Sequence, residues 1–287
     1  MTTTKIVNKA PIAVLMATYN AAKYVGVQIE SIINQSYQDW TLFIRDDGSK
    51  DNTVNILKEY AQIDRRIIII NDNLGNLGCR DNFFKLLETV DSEYYMFSDA
   101  DDYWLKDKIE ISYRRIKELE QASPDIAVMV HTDMTLTDSN LNVTAQSMWQ
   151  EGRFNPDKIK SCNYLGIHGF VGGATCIFNW KAKMVSMPFS KDVYLHDLWI
   201  GLNVLKNGIL DSMHRQTMLY RQHNTNMAGA ANEKHLKLSY KLKNIRGVFR
   251  VNIATARMLK KIGWGGYLKY LYYKTLFIIK TRSGKCM

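Results

Sequence analysis

The chain is predicted to be an α/β protein built on a Rossmann-like, mostly parallel sheet flanked by helices, with a basic helical C-terminal extension. Three observations predict this. Between Pro11 and Ser98, short apolar runs alternate with segments of helical spacing. Polar, carboxylate-bearing loops follow the apolar runs. The excess positive charge is confined to the end of the chain: of 38 basic and 28 acidic residues, 14 and one (Glu233) fall in 231–287, a net of +13, leaving 24 and 27 elsewhere, a net of −3.

Ile12 to Ala17 reads as a first strand, followed by helical spacing at Val25, Ile29, Ile32 and Ile33. Thr41 to Arg45 is a second strand, with Val54, Leu57 and Tyr60 marking the next helix. Ile67 to Ile70 is a third, trailed by Phe83, Phe84, Leu87 and Val90 at helical spacing, and Tyr94 to Phe97 is a fourth. Continuous apolar strands separated by helices indicate a parallel sheet covered on both faces. Beyond it the pattern is less regular, with strands expected at Ala127–His131 and Thr175–Phe178 and a Gly-rich stretch at His168–Gly173. Past Asn232 helical spacing returns at Leu238, Leu242, Ile245, Phe249, Ile253 and Ala256. The expected division is a main domain over 1–230, with halves at 10–105 and 106–230, then the extension at 231–287.

A hydrophobic content of 46% and a charged content of 23% are those of an ordinary globular protein. Cys79, Cys162, Cys176 and Cys286 are scattered, which favours a reduced compartment and argues against a zinc site. Residues 1–10 lack the apolar run of a signal peptide. No uncharged apolar stretch approaches the roughly 20 residues of a membrane span.

The fourth strand runs into Ser98-Asp99-Ala100-Asp101-Asp102. Three carboxylates so close repel one another unless a cation or proton offsets them, and all-oxygen ligands suit Mg2+ or Mn2+. A solvated acidic turn, or a cap for the helix starting near Lys106, is the alternative. Thr18-Tyr19-Asn20, Asp46-Asp47-Gly48-Ser49 and Asn73 to Gly78 follow the other strands. In such sheets ligands bind beyond the carboxyl ends of the strands, so the four loops converge on one crevice. The chain has no Gly-x-x-x-x-Gly-Lys-Ser/Thr loop, and no Gly-x-Gly-x-x-Gly after the first strand. A P-loop ATPase and a dinucleotide dehydrogenase are thereby disfavoured.

Four ordered segments, Ala13–Asn20, Ile32–Tyr37, Arg45–Asp51 and Ser98–Asp102, resemble those of inverting family 2 glycosyltransferases with the GT-A fold. Leu195-His196-Asp197-Leu198-Trp199 lies where many members have Glu-Asp followed by Trp. Its His196, with Tyr220 to Asn226, is similar to a rhamnosyltransferase-like subgroup of bacterial polysaccharide enzymes. The likeness covers residues 11–230.

The resemblance implies a nucleotide-sugar donor held by Thr18, Tyr19, Asn20, Asp47 (at the base) and Asp99 (near ribose or metal), with Arg80 at the diphosphate. It implies a divalent metal, Mg2+ or Mn2+, on Asp101 and His223. Asp197 becomes the catalytic base, and Gly173, His196 and Trp199 border the acceptor or donor sugar. Asp102 is either part of this site or a helix cap. The implied donor is dTDP-rhamnose or a UDP-hexose, and the acceptor is a lipid-linked surface polysaccharide.

Residues 264–280 mix Trp, Tyr and Lys within an apolar run too short to span a bilayer, which suits a helix lying in the headgroups of an anionic membrane. A helix packed on the domain is the alternative. The expected location is the cytoplasmic face of a bacterial membrane, with no nucleic-acid partner. A sugar-nucleotidyltransferase and a nucleic-acid-binding protein using the basic tail are the competing classes.

Overall fold

The computed structural model describes residues 5–153, 155–157, 160–169, 171–189, 193, 195–223 and 245–282. Strands β1 (Ile6–Val7), β2 (Ile12–Thr18), β3 (Trp40–Asp46), β4 (Ile67–Ile69), β5 (Val90–Asp91) and β6 (Tyr94–Ser98) enclose helices α1 (Val25–Ile33), α2 (Thr53–Ile63) and α3 (Cys79–Thr89). After these come β7 (Tyr103–Trp104), α4 (Lys108–Ala122), β8 (Ala127–Thr137), β9 (Val143–Ala145), α5 (Met148–Glu151) and α6 (Cys162–His168). The remaining elements are β10 (Cys176–Asn179), α7 (Trp180–Ser186), α8 (His196–Asn207), β11 (Gly208–Arg221), α9 (Ile245–Lys261) and α10 (Tyr267–Arg282).

The main sheet runs β4-β3-β2-β6-β10-β8-β11-β7, with β9 on the edge of β8; β1 and β5 pair separately. β4, β3, β2 and β6 are parallel, as their apolar runs predict. The second half is mixed, because β10 enters antiparallel between β6 and β8 while β11 runs parallel to β8. The chain goes outward from β2 to β3 and β4, then returns to β6 on the other side of β2. That reversal leaves a crevice at the carboxyl ends of β2 and β6.

Both faces of the sheet are covered, and β2 shows why. Ala13 and Leu15 join a core layer with Phe83 and Leu87 of α3, Leu198 and Leu202 of α8, and Met258 and Leu259 of α9. Ile12, Val14 and Met16 join the opposite layer with Val25, Ile29 and Ile32 of α1, Leu57 of α2, and Ile109 and Ile116 of α4. The period-2 alternation of strand side chains thus feeds two helical layers from one apolar run.

The strand expected at Ala127–His131 extends to Thr137, carrying the buried polar residues Thr132, Asp133 and Thr135 beyond the apolar stretch. The C-terminal helix begins at Ile245; Leu238, Leu242 and the boundary at 230/231 lie outside the described residues.

α10 packs on the domain. Trp264 and Tyr270 are buried in the first core layer, and Tyr273 and Phe277 lie against it. Among the described residues, no helix is long and apolar enough to cross a membrane.

Candidate active site

The acidic loop after β6 is held by one edge of α1. Gln28 and Ser31 of α1, and Gln35 just past its end, lie at i, i+3 and i+7 and are all buried. Gln28 Nε2 donates to Ser98 Oγ at 2.8 Å, and Ser31 Oγ accepts from the Trp104 N–H at 3.0 Å. Gln35 donates to the Leu105 carbonyl at 2.8 Å and accepts from the Ile109 N–H at 3.0 Å. A buried amide is tolerated only where such partners exist, so this ladder fixes the loop against the helix.

Within that loop Asp101 Oδ2 lies 2.8 Å from His223 Nε2, just past β11. Arg221 fastens the same junction. Its Nε donates to the Asp101 carbonyl and its Nη1 to the Ser139 carbonyl, both at 2.7 Å, and its guanidinium lies 4.7 Å from the Tyr24 ring centroid. Tyr24 in turn stacks on the His223 ring.

Asp102 is fully buried; one oxygen accepts from the Arg221 N–H at 3.1 Å, and Oδ2 has no hydrogen-bond partner among the described residues. Burial, then repulsion from Asp101 and Asp99, pushes the Asp102 carboxyl well above the usual carboxylate range. Asp102 is therefore not a helix cap; the residue preceding α4 is Asp107.

Asp99 is pushed up to about 7, first by burial and then by the charges of Asp101 and Asp197. That repulsion marks Asp197 as a neighbour of the acidic loop. Asp197 sits in the first turn of α8. Its Oδ2 accepts from the Gly173 N–H at 2.8 Å and its Oδ1 from the Leu198 N–H at 2.7 Å. A Cβ on Gly173 would meet His196 Nε2 at 3.0 Å and Asp197 Oδ2 at 3.4 Å, so only glycine lets the backbone approach this closely. Cys79, at the start of α3, is pushed up to about 12, by burial and then by Asp99, Asp197, Asp101 and Asp47. Its thiol is neutral and faces an acidic crevice.

On the donor side, Thr18 Oγ1 donates to Asp46 at 2.9 Å, and Asn20, at φ 48°, joins the first loop to the second. Its N–H donates to Ser49 Oγ at 2.8 Å and its Oδ1 accepts from the Lys50 N–H at 2.7 Å. Tyr19 between them is 52% exposed, leaving its ring free to meet a ligand.

Four of the sequence-predicted residues, Asp47, Arg80, His196 and Trp199, are engaged in contacts within the protein. Asp47 is 1% exposed and accepts from the Leu77 and Gly78 N–H groups, both at 2.7 Å, and from Arg45 at 2.8 Å. Three donors on a buried carboxylate tie the 77–78 loop down. Arg80 makes a two-point pair with Asp81, at 2.8 and 2.7 Å, and donates to the Val193 carbonyl, so its guanidinium is engaged beside α3. Trp199 is buried and donates its indole N–H to the Ser186 carbonyl at 2.7 Å, a packing arrangement. His196 also packs. It stacks on Phe83 at 4.3 Å, its Nε2 has no hydrogen-bond partner among the described residues, and burial lowers its pKa, keeping the ring neutral.

Arg45, Arg221, Tyr24 and the Gln28/Ser31/Gln35 ladder were not singled out by sequence. The polar i, i+3, i+7 spacing on an isoleucine-rich helix, and a lone arginine ending an apolar strand, were the available signals.

Among the described residues no group of three or more His, Cys, Asp or Glu side chains could hold a metal. The donor set nonetheless fits a divalent ion that completes its shell with substrate oxygens. Asp101 and His223, hydrogen-bonded to each other at 2.8 Å, are the side-chain types such an ion takes. Mg2+ commonly uses one or two protein carboxylates together with substrate phosphates.

A crevice at the strand-order reversal, with a carboxylate–histidine pair on one wall and a backbone-oriented aspartate on the other, has the architecture of a GT-A glycosyltransferase. Residues 13–178 match the family described as Glycosyl transferase family 2, and the chain belongs to that family. It is similar to the dTDP-rhamnosyl transferase RfbG of Shigella flexneri, at 32% identity over 222 residues, covering 75% of this chain and 74% of that protein. It is also similar to the UDP-Glc:alpha-D-GlcNAc-diphosphoundecaprenol beta-1,3-glucosyltransferase WfgD of Escherichia coli, at 24% identity over 71% of this chain and 73% of that one. Among solved structures, S. aureus TarS 1–349 in complex with UDP-GlcNAc shares the fold at a TM-score of 0.57 and 16% identity, over 86% of this chain and 71% of that chain. The mannosyltransferase PcManGT of Pyrobaculum calidifontis, in complex with GDP-Man and Mn2+, does so at 0.57 and 14%, over 96% and 83%.

Proposed function

We propose that this glycosyltransferase is metal-dependent and inverting, moving a sugar from dTDP-rhamnose or a UDP-hexose to a hydroxyl of a growing, lipid-linked bacterial surface polysaccharide at the cytoplasmic membrane face. The observation that carries this reading is the approach of Asp197, oriented by the Gly173 and Leu198 N–H groups, to the loop bearing Asp99 and Asp101. A base candidate would then share one crevice with a metal-ligand candidate, consistent with the 4.9 Å between the ring centroids of His196, beside Asp197, and Phe97, just before the acidic loop.

Asp101 and His223 would hold the ion, which supplies charge neutralisation on the departing nucleoside diphosphate. Asp197 keeps lone pairs beyond the two it offers to backbone N–H groups, and these take the proton of the acceptor hydroxyl as its oxygen attacks the anomeric carbon. Such base assistance is worth roughly 10²–10⁴-fold. Attack opposite the leaving group inverts the anomeric centre. Tyr19 and the Thr18–Asn20 loop border the nucleoside, and the Asp47-anchored 77–78 loop shapes its far wall. The activity for which the 32%-identical relative is named favours a dTDP-rhamnose donor, while WfgD and the UDP-GlcNAc complex of TarS keep the UDP-sugars in contention.

A donor screen tests this reading. Nucleoside diphosphate release is measured with Mg2+ or Mn2+ and a panel of UDP-, dTDP- and GDP-sugars. One donor class should be turned over, and turnover should vanish in EDTA and in Asp101→Ala. Turnover that survives both would remove the metal from the mechanism.

A further inference from the structure

Helix α10 is apolar on both sides. Tyr270, Tyr273 and Phe277 face inward against the core layer that holds Trp264. At about 100° per residue, Leu268, Leu271, Tyr272, Thr275, Ile278 and Ile279 share the opposite arc. All six are exposed, Leu268 by 83%, Tyr272 by 60% and Ile279 by 58%. Of the four charged residues of α10, only Arg282, at its last position, falls in that arc, although a helix on a water-facing surface carries its charges there. The cations lie around it instead: Lys260 and Lys261 are exposed at the end of α9, and Lys269 is exposed on the flank of α10. At the root of the helix a cavity of about 730 Å3 opens between the Val185–Phe189 turn, α8 and the end of α9. Trp199 and Phe189 line it together with Lys206 and Lys261.

We propose that the outer face of α10 seats in the headgroup–acyl boundary of an anionic membrane, with Lys260, Lys261 and Lys269 against lipid phosphates and a phosphate-bearing headgroup entering the adjoining cavity. The proposal rests on the reading that the acceptor is lipid-linked, and it assigns the surface that meets the lipid. Exposed apolar arcs rimmed by cations suit an interfacial helix. A second copy of the chain is disfavoured as the occupant, because pairing would bring together two C-terminal segments each carrying a net +13. The inward aromatic face explains why the helix presents one side: it is already bound to the domain through the other.

The test is co-sedimentation of the full chain with vesicles of phosphatidylcholine alone and of phosphatidylcholine mixed with phosphatidylglycerol, without donor or acceptor. The native chain should pellet with the mixed vesicles, less so at high salt. Leu268→Asp combined with Ile279→Asp should weaken binding by about tenfold or more, the loss expected when apolar anchors no longer bury. Its melting temperature and donor turnover should match the native chain. If that pair does not fold, Leu268→Ser with Tyr272→Ser replaces it. Lys206→Ala with Lys261→Ala should weaken binding to the mixed vesicles alone. Native-like pelleting by the folded apolar variant, or equal binding to neutral vesicles, would overturn the proposal. So would a native dimer in light scattering that the same variant splits. Lost vesicle binding leaves donor turnover standing, and absent turnover leaves vesicle binding standing, so failure of either reading is visible separately.

Discussion

Arg45 is 1% exposed and joins groups from four places in the chain. Its Nη1 donates to Asp47 and Asn82, its Nε to Asp72, and its Nη2 to Asp72 and the Gly75 carbonyl. Removing the guanidinium leaves Asp47 charged and buried with one partner fewer, so Arg45→Met is expected to lower stability by about 3–5 kcal/mol in urea melts. It should also free the 77–78 loop and weaken donor binding. Gly173→Ala is expected to act in the opposite proportion. Its methyl group would press on His196 Nε2 and Asp197 Oδ2, so turnover should fall well before the melting temperature does. The acidic residues were legible in the sequence as a class, and their individual duties were not. Asp47 reads like an open acceptor, yet it is closed by two backbone N–H groups some thirty residues away in sequence. Asp102 reads equally as a cap or a ligand, and only the return of β11 shows that it receives the Arg221 N–H. Such pairings depend on loop closure, which no local pattern encodes.

At the scale of elements, the apolar runs and the helical spacing of the first hundred residues predicted β2, β3, β4 and β6 to within a residue or two. Both signals are local there, because β2, β3 and β6 are buried on two faces. The second half was harder to read, since β8 and β11 continue through polar residues whose partners lie across the sheet. Thr132 Oγ1, for example, pairs with Thr217 Oγ1 at 2.7 Å. Helix α1 illustrates the same limit, its isoleucines announcing a helix while Gln28, Ser31 and Gln35 gave no sign of what they hold. Gln35→Ala is expected to strand the Leu105 carbonyl and Ile109 N–H, costing about 1–3 kcal/mol. For the tail, the packing of Trp264 and Tyr270 in the core means that deleting residues 264–287 would unsettle the domain itself. Point changes on the outer face of α10 separate membrane contact from folding where a truncation does not.

For the whole molecule, one sheet serves two purposes: its two apolar faces hold the helical layers, and its strand ends bring loops distant in sequence to one crevice. Its stability should carry the mark of a buried histidine. Burial lowers the pKa of His131 from 6.5 to about 3, so the folded state keeps the ring neutral where the unfolded state takes up a proton. Stability is therefore fully present above pH 6.5 and lost as pH falls from there towards 3, by about 1.4 kcal/mol per pH unit relative to His131→Gln. Urea melts of both proteins at pH 6.5 and 5 check the slope. The central claim, that Asp197 takes the acceptor's proton in a glycosyl transfer supported by the acidic loop across the crevice, is tested most directly by the transfer rate of Asp197→Asn at saturating donor and metal. The asparagine carbonyl can still accept from the Gly173 N–H, so the fold should survive while transfer falls by roughly 10²–10⁴-fold. Near-native transfer by that folded variant would contradict the account.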